Sequence, residues 1–219
     1  MLDSNWELIN GADAHHIEQL NASNVINVLE ALVTLLNSNT TALQQTIPLM
    51  PNERALRELH RCATLFLLAD PGEWRDGPVV VQKIATGEVV YQAPPHADVP
   101  QLVKEFIDEL KQIWDNGDAL DAAAFALWRI NWIHPFKNGN GRTARAFSYA
   151  CLNARLGVIL PGTTTVIDQI MMTRTEYEAA IRVADKAAES NPKARDLAQM
   201  KAYLNGLLQL QIASIPESS

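Results

Sequence analysis

Residues 134–145 read His134-Pro135-Phe136-Lys137-Asn138-Gly139-Asn140-Gly141-Arg142-Thr143-Ala144-Arg145. The segment has the pattern of a loop that begins with a histidine and runs into the N-terminus of a helix. Gly139 and Gly141 allow the backbone to turn with its amides exposed. Such a nest of amides, completed by the free N–H groups of a helix N-terminus, binds anions. The segment therefore predicts an anion-binding site.

Three basic side chains indicate which kind of anion this site binds. Arg142 and Arg145 are three residues apart and share one face of the predicted helix. Planar guanidinium groups match the geometry of phosphate oxygens. Lys137 adds positive charge nearby. Such a concentration of positive charge in an acidic protein predicts a polyphosphate ligand.

His134 stands at the start of the loop, within reach of the predicted phosphate site. Imidazole is the side chain best suited to accept a proton near neutral pH. A base beside a bound polyphosphate predicts attack on phosphorus, a reaction in which positioning and charge neutralisation supply most of the rate. Such chemistry commonly uses Mg²⁺, which prefers oxygen ligands, and Asn138 is the nearest candidate in the chain.

Each of these elements has a simpler explanation when it is taken alone. A histidine before a proline is more often a loop or capping residue, and Gly-Asn-Gly more often forms a turn. Two arginines three residues apart more often lie on a solvated face. These explanations do not account for the occurrence of all the elements within twelve residues at the start of one helix. The combination therefore favours a functional site.

The composition fits a folded protein with one domain, or one core with a helical extension. The chain has 219 residues, of which 47% are hydrophobic, and a formal net charge of −7. The negative charge of an acidic protein opposes binding to the phosphate backbone of a nucleic acid, so we expect no nucleic-acid partner.

We see no secretory signal, and no apolar run approaches the ~18 residues of a membrane span. Cys62 and Cys151 belong to no pair or metal-ligand cluster, which is typical of reduced thiols in a cytoplasmic protein.

Hydrophobic periodicity predicts a mainly α fold. Apolar residues at helical spacing predict helices over residues 14–36, 52–68, 99–114 and 118–132. Further helices are predicted from the loop at 133–139 to about residue 157, over 174–188 and over 194–212. The polar run 37–41 is expected to end the first of these helices.

One region between the helices has a different pattern. Val79–Val81 and Val89–Tyr91 are short β-branched runs, and Ala85-Thr86-Gly87 between them provides a turn that contains glycine. This pattern predicts a single β-hairpin. Because an isolated hairpin has little stability of its own, we expect it to pack against the helices.

The motif at 134–145 resembles the signature of the Fic/Doc family, His-Pro-Phe-x-Asp/Glu-Gly-Asn-Gly-Arg-x-x-Arg. The resemblance extends over roughly residues 53–210. Residues 122–133 are similar to the buried helix before the family's motif, residues 71–79 to the segment that opens its hairpin flap, and residues 196–208 to its closing helix. The resemblance implies a Fic-fold helical bundle. Its three parts would be an N-terminal helical extension (1–52), a Fic domain (53–212) and a C-terminal tail (213–219).

The resemblance implies a protein adenylyltransferase that transfers AMP from Mg·ATP to a Ser, Thr or Tyr hydroxyl of a target protein. His134 would be the base that deprotonates this hydroxyl. Gly139, Asn140 and Gly141 would form the anion cradle. The β- and γ-phosphates would be held by Arg142 and Arg145. Asn138 would bind the nucleotide and Mg²⁺, and Phe136 would anchor the loop in the core.

The hairpin is implied to be a flap that docks the target protein. By the resemblance, a segment of this unknown target would add as a strand to the edge of the hairpin, a mode that needs few side chains of the target. The residues assigned to the flap are Val79, Val80, Val81, Val89 and Val90.

The sequence departs from the family pattern in two places. Asn138 stands where the family usually has an Asp or Glu metal ligand, so the ligand at this position carries no charge. Many relatives also carry an inhibitory helix with Ser/Thr-x-x-x-Glu-Gly/Asn, of which this chain has no intact copy. The nearest stretch, Ser23–Val28, has Asn27 where the glutamate would stand and is predicted to be a packing helix. Inhibition is therefore absent, degenerate, or supplied by a separate inhibitory partner.

Two other functions remain open at the level of sequence. The first is transfer of another phosphate-containing group, including phosphorylation as in Doc-like members, although those carry Ala-Asn-Lys where this chain has Gly139-Asn140-Gly141. The second is a catalytically weak nucleotide-binding regulator, which the neutral Asn138 favours.

Overall fold

The computed structural model describes residues 6–9, 11–42, 49–82, 86–190 and 195–215. These residues form eight α-helices: α1 (Gly11–Ala42), α2 (Glu53–Thr64), α3 (Val99–Asn116), α4 (Ala119–Ile133), α5 (Asn140–Leu156), α6 (Val166–Met172), α7 (Arg174–Ser190) and α8 (Ala198–Ala213). An antiparallel hairpin of β1 (Val80–Gln82) and β2 (Val89–Gln92) lies between α2 and α3 along the chain, and a 3-10 turn at His96–Asp98 precedes α3. The prediction of a mainly α protein with one short hairpin is confirmed.

The core is built around α4 and α5, which form the most extensive helix pair in the described part of the chain. α4 begins with a capping box in which the Asp118 and Asp121 side chains each accept the other's backbone N–H. Most residues of α4 and of α5 are buried. A helix that is buried on all sides belongs to the centre of a domain. The loop between these two helices, residues 134–139, is therefore anchored in the core at both ends.

α1 packs against α2 and α5 and shares their core through Val25, Leu29 and Val33. It is longer than the predicted 14–36, because the polar run that was expected to end it continues the helix to Ala42. Polar residues without Gly or Pro disfavour a helix only weakly. In this stretch the Ser38 hydroxyl donates to the Thr34 carbonyl at 2.8 Å, one turn back.

α2 ends at Thr64, four residues before the predicted end at Leu68. Phe66 adopts a left-handed backbone with φ of 63°, which an α-helix cannot accommodate. Leu67 and Leu68 are buried all the same, because they pack in a second small core with Trp6 and Ala14. Their hydrophobicity therefore reflects this second core and not a longer helix.

The hairpin pairs Val80 with Gln92 and Val81 with Tyr91, and its register is irregular between Val81 and Gln82. β1 is shifted by one residue from the predicted run Val79–Val81. Ala85 of the predicted turn lies outside the described residues, as does the predicted helix start at residue 194, and α8 begins at Ala198. α6, which the periodicity did not predict, has only seven residues and is defined by a capping box between Thr165 and Asp168.

Candidate active site

His134 ends α4 in a left-handed backbone conformation, with φ of 50° and ψ of 58°. Such a conformation costs a residue other than glycine about 1–3 kcal/mol and is typical of functional sites. The ring Nδ1 lies 2.9 Å from the Asn131 carbonyl oxygen. Because a carbonyl only accepts, Nδ1 carries the proton and Nε2 is the basic nitrogen. His134 is thus prepared to accept a proton at Nε2.

Arg75 fixes the backbone of this loop to the base of the hairpin. Its side chain is 3% exposed, and its Nε donates to the His134 carbonyl at 2.8 Å. The other nitrogens of the guanidinium group donate to the carbonyls of Gly77, at 3.0 Å, and Pro94, which precede β1 and follow β2. The Arg75 backbone N–H also donates to the Pro135 carbonyl at 2.9 Å. Burial lowers the pKa of Arg75, but a guanidinium stays protonated in a protein.

Tyr91 makes a second connection between the hairpin and the loop. Its hydroxyl donates to the Trp132 carbonyl, two residues before His134. The Tyr91 and His134 rings lie 6.3 Å apart between centroids. Burial and the nearby Asp185 raise the pKa of Tyr91, so its hydroxyl remains a donor. β2 is therefore held directly beside the candidate base.

Phe136 and Asn140 close the loop. Phe136 is fully buried, which confirms the prediction that it anchors the loop in the core. The Asn140 side chain is also buried; its Oδ1 accepts from the Phe136 N–H at 2.9 Å and its Nδ2 donates to the Phe136 carbonyl at 2.8 Å. The side chain of Asn140 thus braces the loop instead of facing a ligand. Its predicted part in the anion cradle rests on its backbone amide.

The two glycines of the motif meet different steric demands. Gly139 is the N-cap of α5 with φ of 75°, and a Cβ there would lie 2.6 Å from Thr64 Cγ2. Gly141 lies in the first turn of α5, where a Cβ would come within 3.3 Å of Arg145 Nη1. The first N–H groups of a helix have no partners inside the helix. The loop therefore brings the amides at the start of α5 close to the arginines, as an anion cradle requires.

Arg142 is paired with a carboxylate that the sequence analysis did not identify. Its Nη2 lies 2.7 Å from Glu18 Oε1, and its Nη1 donates to the Ala63 carbonyl at 3.1 Å. Glu18 is only 5% exposed and also accepts from Trp6 Nε1 at 2.9 Å. The guanidinium carbon of Arg142 lies 4.6 Å from the centroid of the Trp6 ring. In this structure Arg142 is therefore held by α1 and the segment before it.

This pair changes the interpretation of α1. Asn27, which stands in Ser23–Val28 where the inhibitory glutamate would be, is exposed, and the acidic contact is made by Glu18 instead. The signal was present in the sequence. The buried residues of α1 include Ala14, Asn21 and Val25, and Glu18 falls on the same stripe at helical spacing. A carboxylate on a buried stripe requires a partner inside the protein.

Arg145 is directed toward α7. Its side chain hydrogen-bonds the hydroxyl of Tyr177, which also accepts from Asn131 Nδ2 at 2.9 Å. Tyr177 is buried, and this burial raises the pKa of its hydroxyl. The two motif arginines lie on one side of α5 as predicted, but α1 holds the first and α7 the second.

The third predicted cation, Lys137, contributes less than expected. Its Nζ lies 3.8 Å from Glu7 Oε1 and 3.6 Å from Asp76 Oδ1. Ion pairs of this length near the surface contribute little to stability. They partly offset the charge of the lysine, as Glu18 offsets the charge of Arg142.

Asn138 is the residue predicted to bind Mg²⁺. Its Oδ1 accepts from the Gly139 N–H at 2.7 Å. Within the described residues, no group of three or more His, Cys, Asp or Glu side chains could hold a metal ion. One neutral amide oxygen does not make a metal site by itself. The role of Asn138 as a magnesium ligand stays a prediction.

Residues 51–152, from just before α2 to near the end of α5, match the model of the Fic/DOC family. Residues 51–152 therefore form a Fic/DOC family domain. The family relationship confirms the resemblance seen in the motif at 134–145, and the matched segment contains the loop, both arginines and the hairpin. Proteins of this family transfer a nucleotide or another phosphate-containing group to other proteins. In the described part of this family member, no helix is both long enough and apolar enough to cross a membrane.

Solved structures of other Fic proteins have a similar fold. A Fic-domain-containing signalling protein from Bacteroides thetaiotaomicron matches with a TM-score of 0.65 and 22% identity, over 90% of this chain and 70% of that protein. A structure of residues 134–508 of Fic-1 from C. elegans matches with a TM-score of 0.62 and 20% identity, over 93% of this chain and 51% of the solved one. BepC from Bartonella tribocorum, solved with bound AMPPNP, matches with a TM-score of 0.56 and 14% identity, over 89% of this chain and 85% of BepC. The predicted Fic-fold helical bundle is thus confirmed.

Proposed function

We propose that this Fic protein is an adenylyltransferase that transfers AMP from Mg·ATP to a Ser, Thr or Tyr hydroxyl of a target protein. The observation that carries the proposal is the placement of His134 and the start of α5 at the two ends of one braced loop. This arrangement puts a basic Nε2 beside amides that suit a polyphosphate. The bound AMPPNP of BepC supports ATP as the nucleotide.

In the proposed reaction, the target hydroxyl gives its proton to Nε2 of His134 as its oxygen attacks the α-phosphorus of ATP. The bond between the α-phosphorus and the oxygen that bridges to the β-phosphorus breaks, and pyrophosphate leaves. The product is a phosphodiester between AMP and the target. The amides of α5 stabilise the charge that develops on the phosphate oxygens. Mg²⁺ bound to ATP offsets further negative charge.

The two arginines have separate roles in this proposal. Arg145 holds the terminal phosphates, in an orientation set by the Tyr177 hydroxyl. Arg142 reaches a phosphate only when it leaves the 2.7 Å contact with Glu18. A carboxylate and a phosphate cannot both accept from the same N–H groups of one guanidinium, so Glu18 competes with ATP for Arg142. Glu18 therefore limits the basal activity of the protein.

The hairpin is proposed to dock the target. Val80, Val89 and Val90 are exposed, and the described hairpin has only two strands. An exposed strand edge presents N–H and C=O groups that an extended segment of another protein can pair with. Tyr91 and Arg75 hold the hairpin beside His134, and the target segment is proposed to add to the outer edge of β1.

ATP labelled at either the α- or the γ-phosphate tests the proposal. The protein is incubated with Mg·ATP and a cell extract, and label retained on proteins is measured. Adenylyl transfer predicts retention of the α label and not of the γ label. Retention of the γ label alone would instead establish phosphorylation and refute the proposal.

A second candidate is a nucleotide-binding regulator with weak catalysis. The neutral Asn138 and the Glu18–Arg142 pair both favour it, since each weakens a feature that the reaction uses. Calorimetric titration of the protein with Mg·ATP, beside the labelling experiment, separates the two candidates. Binding of ATP without transfer of either label supports the regulator, whereas transfer of the α label supports the enzyme.

A further inference from the structure

His60 is a buried titratable ring that lies outside the motif, on α2. It is 0% exposed. Its Nδ1 accepts from the Gly72 N–H at 2.7 Å, and its Nε2 lies 3.0 Å from the carbonyl oxygen of Asn138. A backbone N–H can only donate and a carbonyl can only accept. The proton of His60 therefore resides on Nε2, and the structure fixes the tautomer.

The environment keeps this ring neutral. Burial lowers the pKa of His60 to about 4, against a contribution in the opposite direction from the hydrogen bond to Asn138. The positive charges of Arg142 and Arg61 lower the pKa further. A second proton on Nδ1 would also oppose the Gly72 N–H. His60 therefore acts as a donor to the loop at Nε2 near neutral pH, and not as a charge.

The ring also supports the two ends of the Phe136–Gly139 segment. It stacks on the Phe136 ring with centroids 3.7 Å apart and planes within 3° of parallel. A Cβ on Gly139 would lie 3.5 Å from His60 Nε2, so the backbone passes close to the ring there. His60 thus contacts the part of the loop that leads into α5.

The contact with Asn138 determines the orientation of a peptide plane. In a trans peptide the C=O and the following N–H point in opposite directions. Because the Asn138 carbonyl is directed at His60, the Gly139 N–H is directed away from α2, where it donates to Asn138 Oδ1. Rotation of this peptide would reverse that N–H and disturb the backbone that enters α5.

We propose that His60 is a positioning residue for the nucleotide site, because its Nε2–H sets the orientation of the Asn138–Gly139 peptide and thereby the amide cradle at the start of α5. The identification of ATP as the ligand of this cradle rests on the proposed function. The effect of His60 on the geometry of the loop does not depend on the proposed function.

Two substitutions separate positioning from packing. His60→Phe keeps a ring for the stack on Phe136 but removes both hydrogen bonds. His60→Gln loses the ring but keeps one acceptor and one donor. We expect ATP to bind about 10-fold more weakly to His60→Phe, as for the loss of one to two hydrogen bonds, and within about threefold of the wild type to His60→Gln. His96→Phe, at an exposed histidine, is the matched control and should bind ATP like the wild type.

A purely structural role predicts the opposite order, since Phe fills the buried site better than Gln. Calorimetric ATP titration therefore decides between the two roles, and weaker binding to His60→Gln than to His60→Phe would overturn the proposal.

A second readout does not depend on the proposed function. Hydrogen exchange of the Gly139 amide, followed by ¹H–¹⁵N NMR in the nucleotide-free protein, should be faster in His60→Phe and stay near the wild-type rate in His60→Gln, and the loss of a ring current does not affect this rate. An unchanged exchange rate in His60→Phe would overturn the positioning role. If the wild type binds no ATP, the proposed function fails, and this exchange rate still decides the role of His60.

Discussion

The loop at 134–139 and the hairpin are neighbours, yet they are held in opposite ways. The loop lies in the core, with Phe136 fully buried and its backbone braced by the side chain of Asn140. The hairpin is on the surface, where Val80 is 42% exposed, Val89 51% and Val90 49%. The difference shows that packing imposes the geometry of the loop, whereas the hairpin is constrained mainly where it joins the core.

The attachment of the hairpin is concentrated at its base. Arg75 donates to carbonyls on both flanks of the hairpin and to His134, and Tyr91 donates to Trp132. Farther from the base, the strand register becomes irregular after Val81. This construction suits a division of roles, in which the loop holds the reacting groups and the hairpin adapts its edge to the target.

The largest effect should follow from removing the base on the loop. We expect His134→Ala to lower the rate of AMP transfer by ~10²–10⁴-fold, because no group replaces Nε2 as the proton acceptor. ATP affinity and thermal stability should stay close to those of the wild type. His96→Ala serves as the control at an exposed histidine. Transfer by His134→Ala at the wild-type rate would remove His134 from the mechanism.

Acid should lower the free energy of unfolding through His60, which packs against the buried side of the loop. Its pKa is about 4 in the folded protein and ordinarily 6.5, so between these values only the unfolded chain binds the extra proton. The free energy of unfolding should therefore fall as the pH drops from about 6.5 to about 4, by ~3 kcal/mol from this residue. Urea unfolding across this range measures the fall, which should be smaller in His60→Gln. Equal losses in both proteins would contradict the burial of a neutral His60.

Arg145 should distinguish nucleotides by their terminal phosphates. A charge-assisted hydrogen bond contributes ~1.5–3 kcal/mol, so we expect Arg145→Ala to weaken ATP binding by that amount and AMP binding much less. Calorimetry with both nucleotides measures the difference. Arg182→Ala, an exposed arginine on α7, is the control. Equal losses for ATP and AMP would show that Arg145 does not face the terminal phosphates.

The smallest of these effects should be at the hairpin, where the structure selects one position for a proline. The Ala93 N–H donates to the Val79 carbonyl, so Val79 and Ala93 form a hydrogen-bonded pair. In an antiparallel ladder the next pair, Val80 and Gln92, directs its N–H groups outward. Val80→Pro therefore removes an edge donor without breaking the hairpin's own ladder.

We expect Val80→Pro to slow modification of a protein target by up to about 10-fold, the effect of one lost hydrogen bond. Labelled ATP with a target protein measures this rate, and ATP affinity is measured beside it. Val80→Ala keeps the N–H and should act like the wild type. If Val80→Pro modifies the target normally, the target does not pair with this edge of the hairpin.

The part of the site that lies in one contiguous segment could be predicted from the sequence. The loop, the start of α5 and the burial of Phe136 follow from a motif whose spacing carries its own geometry. The hairpin could be predicted from its β-branched runs, although the irregular register that shifts its strands could not. These features depend on residues that are close together along the chain, so local sequence patterns are sufficient to predict them.

The partners of the motif could not be predicted in the same way. Glu18, His60 and Arg75 are distant from the motif along the chain, and contacts made by α1, α2 and the segment after α2 bring them to it. Periodicity can place Glu18 on a buried stripe, but it does not name the arginine on the other side. Arg75 lies in an irregular segment with no periodicity, and nothing in its neighbourhood signals a buried guanidinium.

In the proposed mechanism, ATP reacts beside His134 and Glu18 withholds Arg142 from it. Glu18→Gln keeps an acceptor for Trp6 Nε1 but removes the charge that holds Arg142. The decisive measurement is incorporation of α-labelled ATP into protein by the wild type, by Glu18→Gln and by Glu18→Gln combined with His134→Ala. We expect more label with Glu18→Gln than with the wild type, and ~10²–10⁴-fold less with the double variant than with Glu18→Gln. Equal labelling by Glu18→Gln with and without His134 would rule out this mechanism.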